Sequence, residues 1–453
     1  MTDPDSRPLD PGSHHRAEAG STTPEAPVNL RDHPGTSMTR PLRVAIAGAG
    51  ARGAAYARHL RECGGRAVVG AVAETRPSTR VAVAAEHDVG QSQQFSCWEE
   101  LVAAPRTCDA VIIAVQDRDH LKAATAFAQA GYDILLEKPM APTEAECWQI
   151  VEACESAGVF LGVCHVLRYT PYTRLIREQI RSGAIGDIVN VQHLEPVGSW
   201  HFAHSYVRGS WHSSSDAGPV LLTKSSHDID WLSYIIDRPA LRVVSFGSLH
   251  HFRPDQAPEG AADRCLDCPV EPTCPYSAVR IYRRGLHPAA REGYFTAVVA
   301  PELTPEALER ALREGPYGRC VYSGDNDVCD HQIVGIDYED GLTAGFSLSA
   351  FTPVENRHTR IFGTRGQITT DGNSVWVHDF LTQRTTEHVV TAAGASAGEG
   401  HAGGDAAMIE AFVQALAEGD ASHFSSDGRT SLMTHSIVFA AERSRLTGAV
   451  VEV

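Results

Sequence analysis

The chain has 453 residues, which is too many for one compact core and enough for two domains of ordinary size. Hydrophobic residues make up 43% of it and charged residues 21%, as in soluble globular proteins. No stretch approaches the roughly 18 consecutive apolar residues of a membrane span. The formal net charge of −17 argues against nucleic acid or an anionic membrane surface as a partner.

The first segment, residues 1–40, is rich in Pro, Gly, Ser, Thr and charge and has hardly a large apolar side chain. Such a composition cannot bury enough surface to offset chain entropy, so we expect a disordered tail. The segment also lacks the basic and apolar stretches of a secretory signal, which favours a cytoplasmic location.

Residues 41–165 alternate short apolar runs with helical patterns. The apolar runs are LRVAIAG, RAVVGAVA, DAVIIAV, YDILLE and VFLGVCH. Strands that are apolar throughout and alternate with helices indicate a parallel sheet covered by helices on both faces. The sequence therefore predicts an N-terminal α/β domain with a parallel sheet.

Residues 166–453 have a different texture. Segments such as DIVNVQHLE, LRVVSFGSLHHF and HQIVGIDYE are β-rich, which predicts an α+β domain with a largely antiparallel, open sheet. Two helices are expected near the end, at about 405–418 and 429–447. The run rich in Gly, Ala and Ser between 392 and 404 is expected to be a mobile loop.

A glycine motif follows the first predicted strand directly and opens the first helix. Gly48, Gly50 and Gly53 give G-x-G-x-x-G, with Ala51 and Arg52 inside it. These glycines allow a tight turn and bring backbone N–H groups close to a pyrophosphate at the positive end of a helix. The motif in this context predicts a Rossmann domain that binds a dinucleotide.

Glu74 ends the second predicted strand, where an acidic residue accepts hydrogen bonds from ribose hydroxyls and repels a 2′-phosphate. This position favours NAD over NADP. Arg76 and Arg80 follow closely and could bind a phosphate, so NADP stays open as the less favoured cofactor.

Further motifs follow in a fixed order: VIIAVQDRDH, GYDILLEKPMAPT, VCHVLRYTP and RSGAIGDIV. From about residue 42 onward the chain resembles the Gfo/Idh/MocA family, named for glucose–fructose oxidoreductase, inositol dehydrogenase and rhizopine-catabolism proteins. The resemblance implies a Rossmann domain followed by an α+β domain whose open sheet forms a dimer or tetramer interface. It also implies an oxidoreductase that uses NAD(H) on a secondary hydroxyl of a sugar, cyclitol or glycoside.

The resemblance assigns roles to the triplet Glu137-Lys138-Pro139 at a strand end. Glu137 and Lys138 would lie at the cofactor, and Lys138 would hydrogen-bond the reacting hydroxyl. Pro139 would stiffen the turn. The position at the carboxyl edge of a parallel sheet, where ligands bind, agrees with that role.

The family's second motif is a helix with Asp-x-x-x-His, which aligns with DAGPVLLTKSSHDIDWLSYI. His227 matches the histidine that serves as acid and base, for which its ordinary pKa is suited. The aspartate position is Thr223, so the chain departs from the pattern. Lys224 and Asp228 flank the histidine in a Lys-Ser-Ser-His-Asp stretch. Lys224 is expected to tune His227, to bind a polar substrate group or to pair with Asp228.

Several other residues are candidates for substrate contact. Arg168 and Tyr169 fall at cleft-lining positions of the family, as does His120, although each could equally be structural. Thr223 and Asp228 are further candidates because they flank the motif histidine. The segment HFAHSYVRGSWH adds aromatic and polar side chains able to face a sugar, namely Trp200, His201, Tyr206 and Trp211.

A cysteine cluster lies in a predicted insertion at about 253–330. Cys265, Cys268 and Cys274 have the spacing C-x2-C-x5-C, and Cys320 could complete four thiolates. Four sulfurs suit a structural Zn²⁺ in a loop with little core of its own. An iron–sulfur cluster or unmetallated thiols remain alternatives.

Three functions are therefore compared. The leading one is net oxidation of an alcohol by NAD. The second is redox-neutral glycoside cleavage, in which bound NAD oxidises C3 transiently and permits β-elimination. The third is a regulator that senses nucleotide without catalysis, against which intact Lys138 and His227 argue.

Overall fold

The computed structural model describes residues 40–287, 290, 292–390 and 401–453. The predicted disordered tail and most of the predicted loop at 392–404 lie outside the described residues. The strands are β1 (Leu42–Ala47), β2 (Ala67–Ala73), β3 (Gln94–Phe95), β4 (Ala110–Ile113), β5 (Asp133–Leu136), β6 (Leu161–Val163), β7 (Ile188–Pro196), β8 (Ala240–Ser248), β9 (His331–Tyr338), β10 (Thr343–Ser349), β11 (His358–Gly363), β12 (Gly366–Thr370), β13 (Ser374–Asp379), β14 (Arg384–Val389) and β15 (Val451–Glu452).

The helices have these bounds: α1 (Ala51–Glu62), α2 (Pro77–Glu86), α3 (Trp98–Ala103), α4 (His120–Gln129), α5 (Glu144–Ala157), α6 (Pro171–Arg181), α7 (Ser199–Phe202), α8 (Ser214–Ala217), α9 (Val220–Thr223), α10 (Ser226–Ile236), α11 (Ala278–Arg284), α12 (Gly293–Val299), α13 (Pro305–Glu314), α14 (Gly404–Glu418) and α15 (Gly428–Thr447). None of the helices in the described part of the chain has the length and apolar character needed to cross a membrane.

The N-terminal sheet is parallel and has the order β3-β2-β1-β4-β5-β6. Its central strands are buried on both faces, because α1 and α14 pack on one face and α4 and α5 on the other. The Rossmann prediction is confirmed. One helix from the C-terminal part of the chain also belongs to this domain's core, because α14 packs beside α1.

The second sheet has the order β14-β13-β12-β11-β7-β10-β9-β8-β15. β7 and β10 are parallel, and the other neighbouring strands are antiparallel, which confirms the α+β prediction. Helices α6, α10 and α15 cover one face. The other face exposes apolar side chains, among them Phe246 and Ile333.

An insertion separates β8 from β9. It holds the short helices α11, α12 and α13, which pack on one another around a small core that includes Ala278, Tyr282 and Leu308. Helix α12 projects from it toward the Rossmann domain, because its residues Tyr294 and Phe295 line the cleft between the domains.

Candidate active site

A cleft of about 350 Å³ lies between the two domains, at the carboxyl edge of the parallel sheet. Ligands of such sheets bind at this edge. One wall includes Gly50, Ala51, Arg52, Asp117, Glu137 and Lys138. The opposite wall includes Glu195, Thr223, Lys224, His227, Arg357 and His401. The fold thus brings the predicted Lys138, Lys224 and His227 together.

The three motif glycines have different roles in the loop between β1 and α1. Gly48 has a φ of +91°, and a Cβ there would lie 2.4 Å from the carbonyl oxygen of Ala114. A Cβ on Gly53 would lie 1.9 Å from the carbonyl oxygen of Gly48. A Cβ on Gly50 would come no closer to a described atom than 3.4 Å, at Nη2 of Arg76. Gly48 and Gly53 are therefore needed for the turn and the helix packing, while Gly50 leaves room for a pyrophosphate.

Glu74 follows β2 and is hydrogen-bonded by Arg76. The Arg76 guanidinium donates to it from Nε at 2.9 Å and Nη2 at 3.2 Å, and the Arg76 backbone N–H donates at 3.0 Å. Burial raises the pKa of Glu74, but the bonds from Arg76 outweigh burial and lower the pKa below its ordinary value. A carboxylate and a guanidinium thus lie side by side where an adenosine ribose would bind.

Arg52 joins three elements beneath the cofactor loop. Its Nε donates to Glu137 at 2.9 Å, and its Nη1 and Nη2 donate to Asp405 at 2.9 and 2.8 Å. The Tyr56 hydroxyl donates to the same Glu137 oxygen at 2.6 Å. The guanidinium predicted to contact cofactor therefore links α1 to the end of β5 and the first turn of α14.

Lys138 points across the cleft to the opposite wall. Its Nζ donates to the carbonyl oxygen of Thr223 at 2.8 Å, and its backbone N–H donates to Glu137 at 2.8 Å. The Lys138–Pro139 peptide bond is cis, and Nδ1 of the buried His120 lies 2.9 Å from the Pro139 carbonyl oxygen. Burial lowers the pKa of Lys138, so its ammonium gives up a proton more readily than an exposed lysine.

His227 lies at the start of α10 and is 5% exposed. Its Nδ1 has no hydrogen-bond partner among the described residues. Burial lowers its pKa well below the ordinary value, and the charges of Lys138, His401 and His165 lower that pKa further. These surroundings favour the neutral ring over the imidazolium.

The helix predicted to hold Thr223, Lys224 and His227 is broken. α9 ends at Thr223 and α10 begins at Ser226, so Lys224 lies in the break rather than on the His227 face. Its Nζ lies 2.9 Å from Oε1 of Glu195. The alternative that Lys224 pairs with Asp228 is therefore wrong.

Asp228 lies beneath the cleft rather than in it. It is fully buried, and Arg357 donates a hydrogen bond to its carboxylate. Nε2 of His193 lies 3.1 Å from Oδ1 of the same carboxylate. Arg357 also reaches Glu195 at 2.9 Å, so Lys224, Glu195, Arg357 and Asp228 form one ionic chain. Burial raises the pKa of Asp228, but Arg357 and His193 outweigh burial and hold the pKa well below its ordinary value. The assignment of Asp228 to substrate contact is corrected: it holds Arg357.

Arg168 and Tyr169 are also buried away from the cleft. Arg168 donates to both carboxylate oxygens of Asp230, at 2.7 and 2.6 Å. The Tyr169 hydroxyl lies 3.0 Å from the hydroxyl of Ser426. These contacts fix the junction between the domains, so the assignment of both residues to the substrate is corrected as well.

Aromatic side chains line much of the remaining cleft wall. They are His201, Tyr206, Trp211, Tyr294, Phe295 and Tyr317. Trp211 donates from Nε1 to Asp117 at 3.2 Å. Trp200, another candidate, packs against Phe295 at a ring distance of 5.0 Å. Such a wall suits the apolar faces of a sugar ring.

Four cysteines of the insertion line one small pocket, namely Cys265, Cys268, Cys274 and Cys320. The Arg208 guanidinium donates to Sγ of Cys265 at 3.6 Å, and the backbone N–H of Ala262 donates to Sγ of Cys268 at 3.4 Å. Burial raises the pKa values of Cys274 and Cys320. Within the described ranges, no group of His, Cys, Asp or Glu is arranged to hold a metal ion. The geometry therefore gives the zinc prediction no support.

Sequence reasoning missed three residues of the cleft. Glu195 is a charged residue at an inward position of β7, a register that a strand reserves for buried side chains. Arg357 precedes β11 without any motif. His401 ends a run of mostly small residues, and its isolation there is the only feature of the sequence that could have marked it as a site residue.

Comparison with known families agrees with this geometry. The family model described as an oxidoreductase family with an NAD-binding Rossmann fold matches residues 42–165. The model of that family's C-terminal alpha/beta domain matches residues 177–453. Both halves of the cleft therefore fall within matched regions.

Individual relatives cover the chain to different extents. The oxidoreductase-like protein YteT of Bacillus subtilis strain 168 is 24% identical over 320 residues, 67% of this chain and 71% of its own length. An inositol 2-dehydrogenase of Corynebacterium glutamicum is 31% identical over 158 residues, which are 35% of this chain and 46% of that enzyme. The chain thus spans less than half of that dehydrogenase.

Solved structures share the whole fold. Levoglucosan dehydrogenase in complex with NADH and levoglucosan has a TM-score of 0.66 and 18% identity, over 91% of this chain and 100% of that chain. At this identity the likeness shows the fold alone.

Proposed function

Because the chain belongs to the Gfo/Idh/MocA family of NAD-binding oxidoreductases, we propose that it oxidises a secondary hydroxyl of a sugar, cyclitol or glycoside. The observation on which this rests is that Lys138 and His227 line one cleft, from opposite walls, beside the open Gly50 backbone. NAD⁺ bound there would supply the hydride acceptor. The aromatic wall supports a sugar-like substrate.

The chain's own groups divide the work on the hydroxyl. Lys138 donates a hydrogen bond and is held at the cleft by the Thr223 carbonyl, at 2.8 Å. His227 is buried and lines the same cleft, where its ring hydrogen-bonds the hydroxyl oxygen. Residues of the insertion and of the π-helical turn Ala203–Arg208 line the rest of the cleft.

A panel of sugars, cyclitols and glycosides, incubated with NAD⁺, tests the proposal. NADH absorbance at 340 nm and the product mass are read together. Net NADH with a product two hydrogens lighter is the expected result. Release of an aglycone without NADH would replace it with the redox-neutral reaction, and tight NAD⁺ binding without turnover would favour the regulator.

We further propose a homodimer or dimer of dimers in the cytoplasm. The uncovered face of the nine-stranded sheet supports the assembly, because Phe246 is 62% exposed and its cross-strand partner Ile333 is 56% exposed. Adjacent exposed apolar side chains on an open sheet invite association.

A further inference from the structure

The cleft has a feature that the motif histidine leaves unexplained. Among the described residues, no carboxylate pairs with His227: the family's aspartate position is Thr223, whose hydroxyl donates to the Pro219 carbonyl at 3.3 Å. Nδ1 of His227 is buried and has no partner among the described residues. An imidazolium there would have no anion to stabilise it.

A histidine that does have a carboxylate lies beside it. The ring of His401 lines the same cleft, with its centroid 5.7 Å from that of His227. Nδ1 of His401 lies 3.1 Å from Oδ1 of Asp405, which is fully buried. Arg52 fixes the same carboxylate through two bonds of 2.9 and 2.8 Å. With Nδ1–H donating to Asp405, Nε2 is the nitrogen that can accept a proton.

The backbone holds His401 in a costly conformation. His401 has a φ of 45° and Ala402 a φ of 54°, both in the left-handed region. This region is unfavourable for residues other than glycine. The contact with Asp405 holds the ring at the cleft, and Ala402 beside it is buried.

We propose that His401, oriented by Asp405, is the acid–base residue for the substrate hydroxyl, and this rests on the proposed oxidoreductase function. In oxidation, the O–H proton passes to Nε2 of His401. NAD⁺ held at the glycine loop would accept the carbon-bound hydrogen together with its electron pair, so that the C–O bond becomes a carbonyl. His227 and Lys138 then hydrogen-bond the oxygen and align it. Asp405 in the first turn of α14 and His401 just before that helix form a carboxylate–histidine pair, which the broken α9–α10 segment lacks among the described residues.

Burial lowers the pKa of His401, and four neighbouring titratable or charged groups modify that shift. They are Asp405 on its own segment, Arg52 from α1, His227 from α10 and Arg357 before β11. Burial lowers the pKa of His401, Asp405 raises it, and Arg52 and Arg357 lower it, with a net result below the ordinary value. Removing the charge of Asp405 takes away the stabilising anion, so the pKa of His401 falls further.

His401→Asn is the main test, because an asparagine amide can keep a hydrogen bond to Asp405 but cannot accept the proton. With the best substrate of the panel, kcat is expected to fall about 10²–10⁴-fold. The NAD⁺ dissociation constant and the melting temperature are expected to stay near those of the wild type. His423→Asn, at a surface histidine paired with Glu418, is the matched control and is expected to keep full activity.

The pH profile separates catalysis from structure. In Asp405→Asn, the acidic limb of kcat/KM is expected to move to lower pH, which a merely structural role would not produce. If His401→Asn has the kcat of the wild type and the same acidic limb of kcat/KM, His401 is not the acid–base residue. The proposed oxidoreductase function would still stand. A wild type that reduces NAD⁺ with none of the panel would overturn both.

Discussion

At the residue scale, the three motif glycines separate folding from cofactor binding. Gly50→Ala places its Cβ no closer to a described atom than 3.4 Å, at the flexible end of Arg76, so the melting temperature is expected to stay within a few degrees of the wild type. The same Cβ lies where a pyrophosphate must approach, so the NAD⁺ dissociation constant is expected to rise at least tenfold, measured by fluorescence titration. Gly53→Ala is the comparison: its Cβ would lie 1.9 Å from a carbonyl oxygen, so the melting temperature should fall. Unchanged NAD⁺ affinity in Gly50→Ala would place the pyrophosphate elsewhere.

The neighbouring charges of Glu74 and Arg76 are expected to favour different cofactors, NAD for the carboxylate and NADP for the guanidinium. Glu74→Ala removes the ribose acceptor and releases the Arg76 guanidinium, so NAD⁺ is expected to bind more weakly and NADP⁺ more tightly. Titration of both cofactors measures the ratio of dissociation constants. Glu86→Ala, at an exposed position of α2, should leave the ratio as it is. A ratio that Glu74→Ala does not change would show that the ribose lies away from this pair.

At the element scale, Arg357 holds β7 and α10 together through Glu195 and Asp228. Arg357→Met leaves Asp228 buried and without its main counter-charge, so the free energy of unfolding should fall by about 3–5 kcal/mol. Because the folded pKa of Asp228 is depressed, its contribution is present above the unfolded pKa of about 3.9 and is lost as pH falls below it. The difference from the wild type should therefore shrink below about pH 4.

Urea denaturation at pH 7 and at pH 3.5 measures both quantities. Arg360→Met, at an exposed position of β11, is the control and should change the free energy of unfolding by less than about 0.5 kcal/mol. Equal stability of Arg357→Met and the wild type at pH 7 would contradict the ionic chain.

Local sequence patterns predicted the regular elements of the Rossmann domain. They did not predict the interruption of the helix that carries His227. Helix α5 (Glu144–Ala157) is an example of such a local pattern, because apolar spacing and the N-cap residue Thr143 mark it in the sequence. The segment around His227 fits a single helix by alignment, yet it breaks between Thr223 and Ser226. Within the break, Lys224 pairs with Glu195 on β7, and no local sequence pattern indicates that contact.

At the scale of the whole molecule, sequence could not predict which separated residues meet. Arg52 and Asp405 pair across most of the chain's length, and no local pattern announces such a pair. Nor does any local pattern indicate that α12 of the insertion lines the cleft. Lys138 and His227 were found only because their motifs are specific to the family.

The open sheet predicts association between copies of the chain. Light scattering is expected to give at least twice the monomer mass of 48.8 kDa. Phe246→Asp places a charge at the centre of the exposed apolar pair and should shift the protein toward monomer. Val81→Asp, at an exposed valine of α2, should not. A wild type that is monomeric at micromolar concentration would refute the assembly.

The central claim is that oxidation depends on the cleft where Lys138 and His227 meet. The most direct measurement is the rate of NADH formation at 340 nm, in a single turnover with saturating NAD⁺ and substrate, for the wild type, Lys138→Ala and His227→Ala. Each variant is expected to fold and bind NAD⁺ but to react about 10²–10⁴-fold more slowly. Wild-type rates in both variants would contradict the account.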